Sequence, residues 1–238
     1  MRRRMYLPLM LVAAPGLMAI GLVTPASAAS SNGVANKSAN QIVTTASSAM
    51  NRASSFTYGG TTRSNGVSTG LKASLNSAGD GQGTLTSSGQ PVKLIKIGNT
   101  LYVSSTTAFW TKNLGASAGQ TLGTKWVAAS STDSNYAGIA DLFQASQITG
   151  QFLSTASTTY TKGKTGTING QPVVAVVAKS GATVNTIYVA TTGKAYVIKI
   201  TSPGKNGGIL NFTNYNKPVN PTAPPNPITV PTTTTTTG

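Results

Sequence analysis

The 238-residue sequence contains no cysteine and no histidine, and its only acidic residues are Asp80, Asp133 and Asp141, with no glutamate at all. Each absence excludes something. Without cysteine there are no disulfides, and no thiol to carry a lipid behind an N-terminal apolar run. Without histidine or cysteine, zinc lacks its usual nitrogen and sulfur ligands, and acid–base work would fall on aspartate, lysine or tyrosine. The nearest Ser-x-x-Lys spacing, Ser202 to Lys205, encloses Pro203-Gly204, which breaks the helix such a nucleophile needs. Asp80, between Gly79 and Gly81, reads as a turn residue and Asp133 as a helix cap. The expectation is a non-enzymatic protein without cofactor or metal, working by shape. Aromatic residues are also scarce, at 6%, so the places where they gather carry weight.

What is abundant is positive charge: 18 lysines and arginines give a formal +15. Such a surface suits anionic partners, either an acidic membrane surface or a cell-wall polymer, or serves solubility and edge protection alone. Beyond the first four residues the lysines are dispersed along the chain with no arginine cluster, so nucleic acid is not an expected partner. Arg2, Arg3 and Arg4 precede an apolar run over 5–23, and Pro25-Ala26-Ser27-Ala28 offers the small residues of a cleavage site. This reads as a secretory signal peptide, 1–28; the alternative is an uncleaved anchor, against which Pro15 and Gly16 interrupt the run. Arg3-Arg4 leaves twin-arginine export open beside the general route. The expected location is extracellular or cell-wall associated, without a lipid anchor. At the other end, KPVNPTAPPNPITVPTTTTTTG combines prolines, which favour extended geometry, with a Thr run that has nothing to bury. It reads as a disordered tail, 217–238, following a domain at 29–216, or as a glycosylated stalk through a wall layer.

Within the domain, apolar residues at Ala35, Ala39, Ile42, Val43, Ala46, Ala49 and Met50 share one helical face, so 34–50 is expected to be an amphipathic helix capped near Ser31 or Asn32. Strands are expected over 55–62, 67–76, 81–88, 91–97, 100–104 and 108–111, with a further one around Trp126 and a hairpin turn at Gly98-Asn99. A helical stretch capped by Asp133 or Ser134 follows, where Ile139, Leu142 and Phe143 share a face that Ile148, Phe152 and Leu153 continue. Strands resume over 158–168, 171–179, 183–190, 194–201 and 208–214, and Asn169-Gly170 is a strong hairpin signal. The near repeat of NTLYVSSTT at 99–107 as NTIYVATTG at 185–193 marks two comparable strands. Val173, Ala175 and Val177 alternate with Val174, Val176 and Ala178, so both faces of this strand are apolar; Ala195, Val197 and Lys199 alternate likewise with Tyr196, Ile198 and Ile200. A sheet apolar on both sides must be covered on both, or must curve around something.

In this order the segments resemble the LolA/LolB-like lipoprotein-carrier fold, and more closely the actinobacterial LppX/LprAFG group. The matching stretches are the early helix running to Ala53-Ser54-Ser55-Phe56, PVKLIKIGNTLYV ending in Ala108-Phe109-Trp110, Lys125-Trp126-Val127, the helical 139–153, INGQPVV at 168–174 and the closing ILNFTNYNKPV. The resemblance covers about Ala35 to Val219, and the order of the segments carries it. It implies an α+β fold, a strongly curved antiparallel sheet or incomplete β-barrel with helices on its concave face, enclosing an apolar cavity for acyl chains. It implies a monomeric bacterial envelope protein whose partner is a lipid or other apolar ligand. Cavity candidates under it are Phe109, Trp110, Trp126, Ile139, Phe143, Phe152, Val174, Val176, Tyr188 and Ile198. The family's lipobox cysteine is absent, which makes this chain a soluble relative.

Overall fold

The computed structural model describes residues 30–229 apart from 65, 88, 134–135 and 154–156. The signal peptide expected at 1–28, the end of the tail beyond 229 and the Ser134 cap lie outside the described residues.

The chain begins with a short 3-10 turn, Val34–Asn36, and helix α1, Ala39–Asn51. The helix starts later than its apolar spacing suggested because Ser38 closes a capping box: its hydroxyl accepts from Gln41 N–H while the Gln41 side chain accepts from Ser38 N–H. Asn32 has another task, donating its amide to Ala190 O at 3.0 Å and Gly193 O at 3.1 Å, which moors the N-terminus to the far end of the sheet.

An antiparallel meander follows: β1 Ser55–Ser64, β2 Val67–Asn76, β3 Gly81–Ser87, β4 Gln90–Ile97 and β5 Thr100–Ser104. Two short helices, α2 Thr107–Leu114 and α3 Ala116–Leu122, intervene before β6 Val127–Ser130. The strand expected over 108–111 is therefore helical. The Thr106 hydroxyl accepts from Phe109 N–H at 3.1 Å, and this cap starts a helix where aromatic content alone pointed to a strand. Next come α4 Ala137–Ala140, a 3-10 turn Asp141–Phe143 and α5 Ala145–Leu153. The second meander is β7 Thr159–Ile168, β8 Gln171–Ser180, β9 Thr183–Ala190, β10 Val197–Ser202 and β11 Gly208–Thr213. Asn169 and Gly170 both take positive φ, 48° and 79°, in the hairpin turn their identity signalled.

All strands join one sheet in the order β12-β6-β5-β4-β3-β2-β1-β11-β10-β9-β8-β7, where β12 is Ile228–Thr229. Each meander is continuous in sequence, and the two meet only where β1 pairs β11, from Thr57↔Thr213 to Thr62↔Gly208. Strands approach closely at this seam: a Cβ on Gly60 would stand 1.8 Å from Ile209 O, so no other residue fits the bend there. The result is an α+β, long, curved and unclosed sheet, antiparallel except at β12, with β7 and β12 as its edges.

The concave face is the core. Phe56, Leu75, Leu94, Leu101, Val174, Val176, Ile187, Val197 and Phe212 pack beneath Ile42, Val43, Ala46 and Met50 of α1, all of them essentially inaccessible. Thr149 of α5 donates to Asn51 Oδ1 at 3.0 Å, and Lys162 of β7 donates to Ala35 O, so the helices are also tied laterally.

The segment read as a disordered tail departs from that reading over 217–229. Ser55 Oγ donates to Lys217 O, Asn76 Nδ2 donates to Val219 O at 3.4 Å, and Ile228 N–H donates to Trp126 O at 2.8 Å, beginning the parallel pairing of β12 with β6. Proline removes backbone donors but leaves the carbonyls, and Lys217 O and Val219 O accept from the sheet before the Ile228 N–H reaches Trp126 O.

Candidate functional site

The strand pattern sets which side chains meet under the sheet. In β1, Phe56 and Tyr58 point inward; in β11 Phe212, the partner of Tyr58, and Leu210, the partner of Gly60, do the same, and Leu71 of β2 lies across from Gly60 on its other side. Phe56, Tyr58, Phe212 and Tyr215 form an aromatic group with ring centroids 5.7–6.2 Å apart. Above them lies the helical layer formed by α4, the Asp141–Phe143 turn and α5.

Between the sheet and this layer is a cavity of about 520 Å³. Its apolar lining is Tyr58, Leu71, Leu142, Ile148, Phe152 and Leu210, and its polar lining is Thr62, Asp141, Gln147 and Gln151. A second hollow of about 180 Å³ shares Thr62, Gln151, Phe152 and Leu210 with it and continues to Ile200, Ser202 and the 206–208 loop. Phe152 stands where the two meet. The arrangement is an elongated cleft of mixed lining, in which aromatic and aliphatic side chains alternate with hydroxyl, amide and carboxylate groups.

The wall facing the helices is fixed by two contacts. Tyr58, 2% exposed, donates its hydroxyl to Leu142 O at 2.7 Å, binding the turn to the sheet. Burial pushes the Tyr58 phenol well above its ordinary range, so it remains a donor at any physiological pH. Phe143, beside Leu142, is completely buried with its ring over Gly81: a Cβ there would lie 2.5 Å from Phe143 Cδ1 and 2.3 Å from Ser74 O. Tyr215 is pushed up in the same direction by burial and by the neighbouring Tyr196, on which it stacks at 3.9 Å. Among the described residues the one buried cation, Lys96, is held by Gly79 O at 3.0 Å and Gly98 O at 2.9 Å, at the end of β4.

Of the residues expected to line a cavity, Phe152 does so. Ile139 packs half-buried against the core, and Phe143, Val174 and Val176 are within it. Phe109 and Trp110 meet edge to face at 5.1 Å under α2, where the buried Trp110 indole N–H has no hydrogen-bond partner. Trp126, Tyr188 and Ile198 are not in the core cluster. Ile198 falls in a bulge, since Val197 pairs Val189 while Lys199 pairs Tyr188, and the extra residue interrupts the alternation that placed Ile198 inside. The cavity residues absent from the expected set are Tyr58, Leu71, Leu142, Ile148 and Leu210. Their signal was the alternation in Phe56-Thr57-Tyr58 and Leu210-Asn211-Phe212, which marks strands with one buried face.

Among the described residues no three His, Cys, Asp or Glu side chains group to hold a metal, and no helix is long and apolar enough to cross a membrane.

An unclosed, curved sheet holding its helices within the concavity defines the LolA/LolB-like class of fold, and this chain has it. Within that class the likeness is to LppX and LprF. The lipoprotein LppX of Mycobacterium tuberculosis matches with a TM-score of 0.50 and 14% identity, over 76% of this chain and 96% of that one. LprF from Mycobacterium bovis matches with a TM-score of 0.50 and 14% identity, over 78% and 96%. A LolA-superfamily protein from Nitrosomonas europaea is looser, at a TM-score of 0.26 and 8% identity over 75% and 93%. At such identities the likeness is one of fold. No family model and no curated protein sequence matches the chain.

Proposed function

We propose that this protein is a non-enzymatic carrier or binder of lipid acyl chains in the bacterial cell envelope, and that the chain lies in the cleft between the concave sheet and α4–α5. The observation that carries this reading is the cleft of about 520 Å³, lined by Tyr58, Leu71, Leu142, Ile148, Phe152 and Leu210. Its size falls within the range of about 300–1,000 Å³ usual for small-ligand sites. Burial of eight methylenes there contributes about 6 kcal/mol before ordering costs, which sets binding in the tens of micromolar as the upper limit for a chain of that length. Thr62, Gln147 and Gln151 are placed to bond an ester or headgroup while the chain lies on the leucines. The LppX-like fold supports the reading by analogy. In the same proposal, 1–28 directs secretion and is removed, and the binding domain extends from 29 through the strap.

Native mass spectrometry of protein secreted from a bacterial host, followed by offering a diacyl phospholipid, tests it. A bound or acquired lipid is expected, and Leu210→Trp, which fills the cleft, should abolish it while Asn211→Ala on the opposite face should not. A protein that remains apo and takes up nothing, or uptake indifferent to Leu210→Trp in a variant that melts normally, sinks the proposal.

A further inference from the structure

The outer, convex face carries an organised row that the cleft does not use. Reading the strand register across the sheet, Ala175 pairs Tyr188, Tyr188 pairs Lys199, Lys199 pairs Asn211 and Asn211 pairs Gly59. Gly59 then pairs Lys72, Lys72 pairs Thr84, Thr84 pairs Lys93 and Lys93 pairs Ser104. Cross-strand partners project to one face, so Tyr188, Lys199, Lys72 and Lys93 stand in a single line perpendicular to the strands. At its end Trp126 precedes β6, where the β5–β6 register would next set it beside Ser104. Trp126 walls a groove of about 400 Å³ with Lys72, Ser74, Gln82, Thr84, Lys93 and Ile95. Two aromatics expected inside the protein therefore bracket three lysines on its outside.

We propose that this row binds a strand of acidic polysaccharide, laid across the sheet. Three observations favour that occupant. Strands are about 4.8 Å apart, which spaces Lys199 and Lys72 by about 14 Å and Lys72 and Lys93 by about 10 Å, a line of separated cations suited to a polymer that carries anions along its length. All three aspartates are elsewhere: Asp80 accepts from Gly98 N–H at the β4–β5 turn, Asp141 lines the inner cleft, and Asp133 precedes α4, so nothing competes for the lysines. Between the cations stand neutral hydroxyl and amide groups, Ser74, Gln82, Thr84 and Asn211, and the half-buried Trp126 offers an apolar face to a sugar ring while Gly59 leaves a low saddle with no side chain. A bilayer is less well matched, since the exposed large apolar residues Val67, Leu114 and Ile209 stand singly on three different elements and form no patch. The site lies on the opposite face from the lipid cleft and does not rest on it.

Titration calorimetry at low ionic strength with polygalacturonate, uncharged dextran and phosphatidylglycerol vesicles tests the proposal. Binding to polygalacturonate and not to dextran is expected, weakening as salt is added. Lys72→Gln/Lys93→Gln should weaken it roughly tenfold, and Trp126→Ala roughly fivefold. Lys179→Gln/Lys205→Gln removes the same charge from exposed positions outside the row and should change it by less than about twofold. Absence of binding, equal loss in the two double variants, or binding to vesicles without binding to polygalacturonate would overturn it. The two double variants alter exposed side chains only, so their folding is not at stake.

Discussion

One chemical change, glycine to alanine, should have opposite effects at Gly81 and Gly150. Gly150 lies inside α5, exposed, with nothing within 4 Å of an added Cβ. Alanine there relieves the conformational cost of glycine in a helix and should stabilise by about 0.5–1 kcal/mol. At Gly81 the added carbon would meet Ser74 O at 2.3 Å, Phe143 Cδ1 at 2.5 Å and Leu75 Cα at 3.1 Å. The Phe143 ring could swing, but Ser74 O and Leu75 Cα are backbone of the paired strand and move only if β2 and β3 separate. Overpacking of this kind costs about 1–3 kcal/mol, and the backbone clash places Gly81→Ala at about 2 kcal/mol or more. With a urea m-value of about 2 kcal/mol/M, the midpoint should fall by about 1 M for Gly81→Ala and rise by about 0.3 M for Gly150→Ala. Urea unfolding followed by far-UV circular dichroism reads both. Shifts of the same sign, or a neutral Gly81→Ala, would refute the claim that Phe143 and β2 leave no room above Gly81.

Tyr58→Phe removes the hydrogen bond that ties the Leu142 carbonyl to the sheet and should cost about 1–2 kcal/mol in the same assay. The Tyr58 phenol is raised above its ordinary 10.0 in the folded state, so the folded protein keeps a proton that the unfolded chain loses. Stability is accordingly unaffected below pH 10 and declines above it, and the decline should be shallower in Tyr58→Phe when melting is followed from neutral to alkaline pH. Deleting 218–238 strips β12 from β6 and the Val219 acceptor from Asn76; light scattering should show self-association through the freed β6 edge, and an unchanged monomer would contradict a covering role for the strap.

Much of the architecture was legible because it rests on local chemistry. The Asn169-Gly170 turn, the alternation in 172–178 and the apolar stripe of α1 each specify their element without reference to the rest of the chain. Alternation, however, says that a strand has two faces and not which one is concave. Tyr188 and Trp126 were placed inside on aromatic character, while the register puts Tyr188 beside Lys199 and the outer groove claims Trp126. A single bulged residue was enough to misplace Ile198. The strap was illegible for another reason: its ties are side chains of Ser55 and Asn76, more than 140 positions away, reaching for carbonyls that every residue has. Phe152 could be picked from its helical spacing, but its companions Leu71 and Leu210 come from opposite meanders and nothing local relates them.

The β1–β11 seam has a kinetic meaning as well. Each meander can assemble from neighbouring hairpins, whereas pairing Thr57 with Thr213 closes a loop that spans most of the domain. Such closure is slow and comes late, because its entropy is lost before its contacts are gained. Tyr58 and Leu71 on one side of that seam and Leu210 on the other are what the cleft is made of. The cleft is therefore a product of the last step of assembly, and a half-folded chain with all its hairpins in place still lacks it.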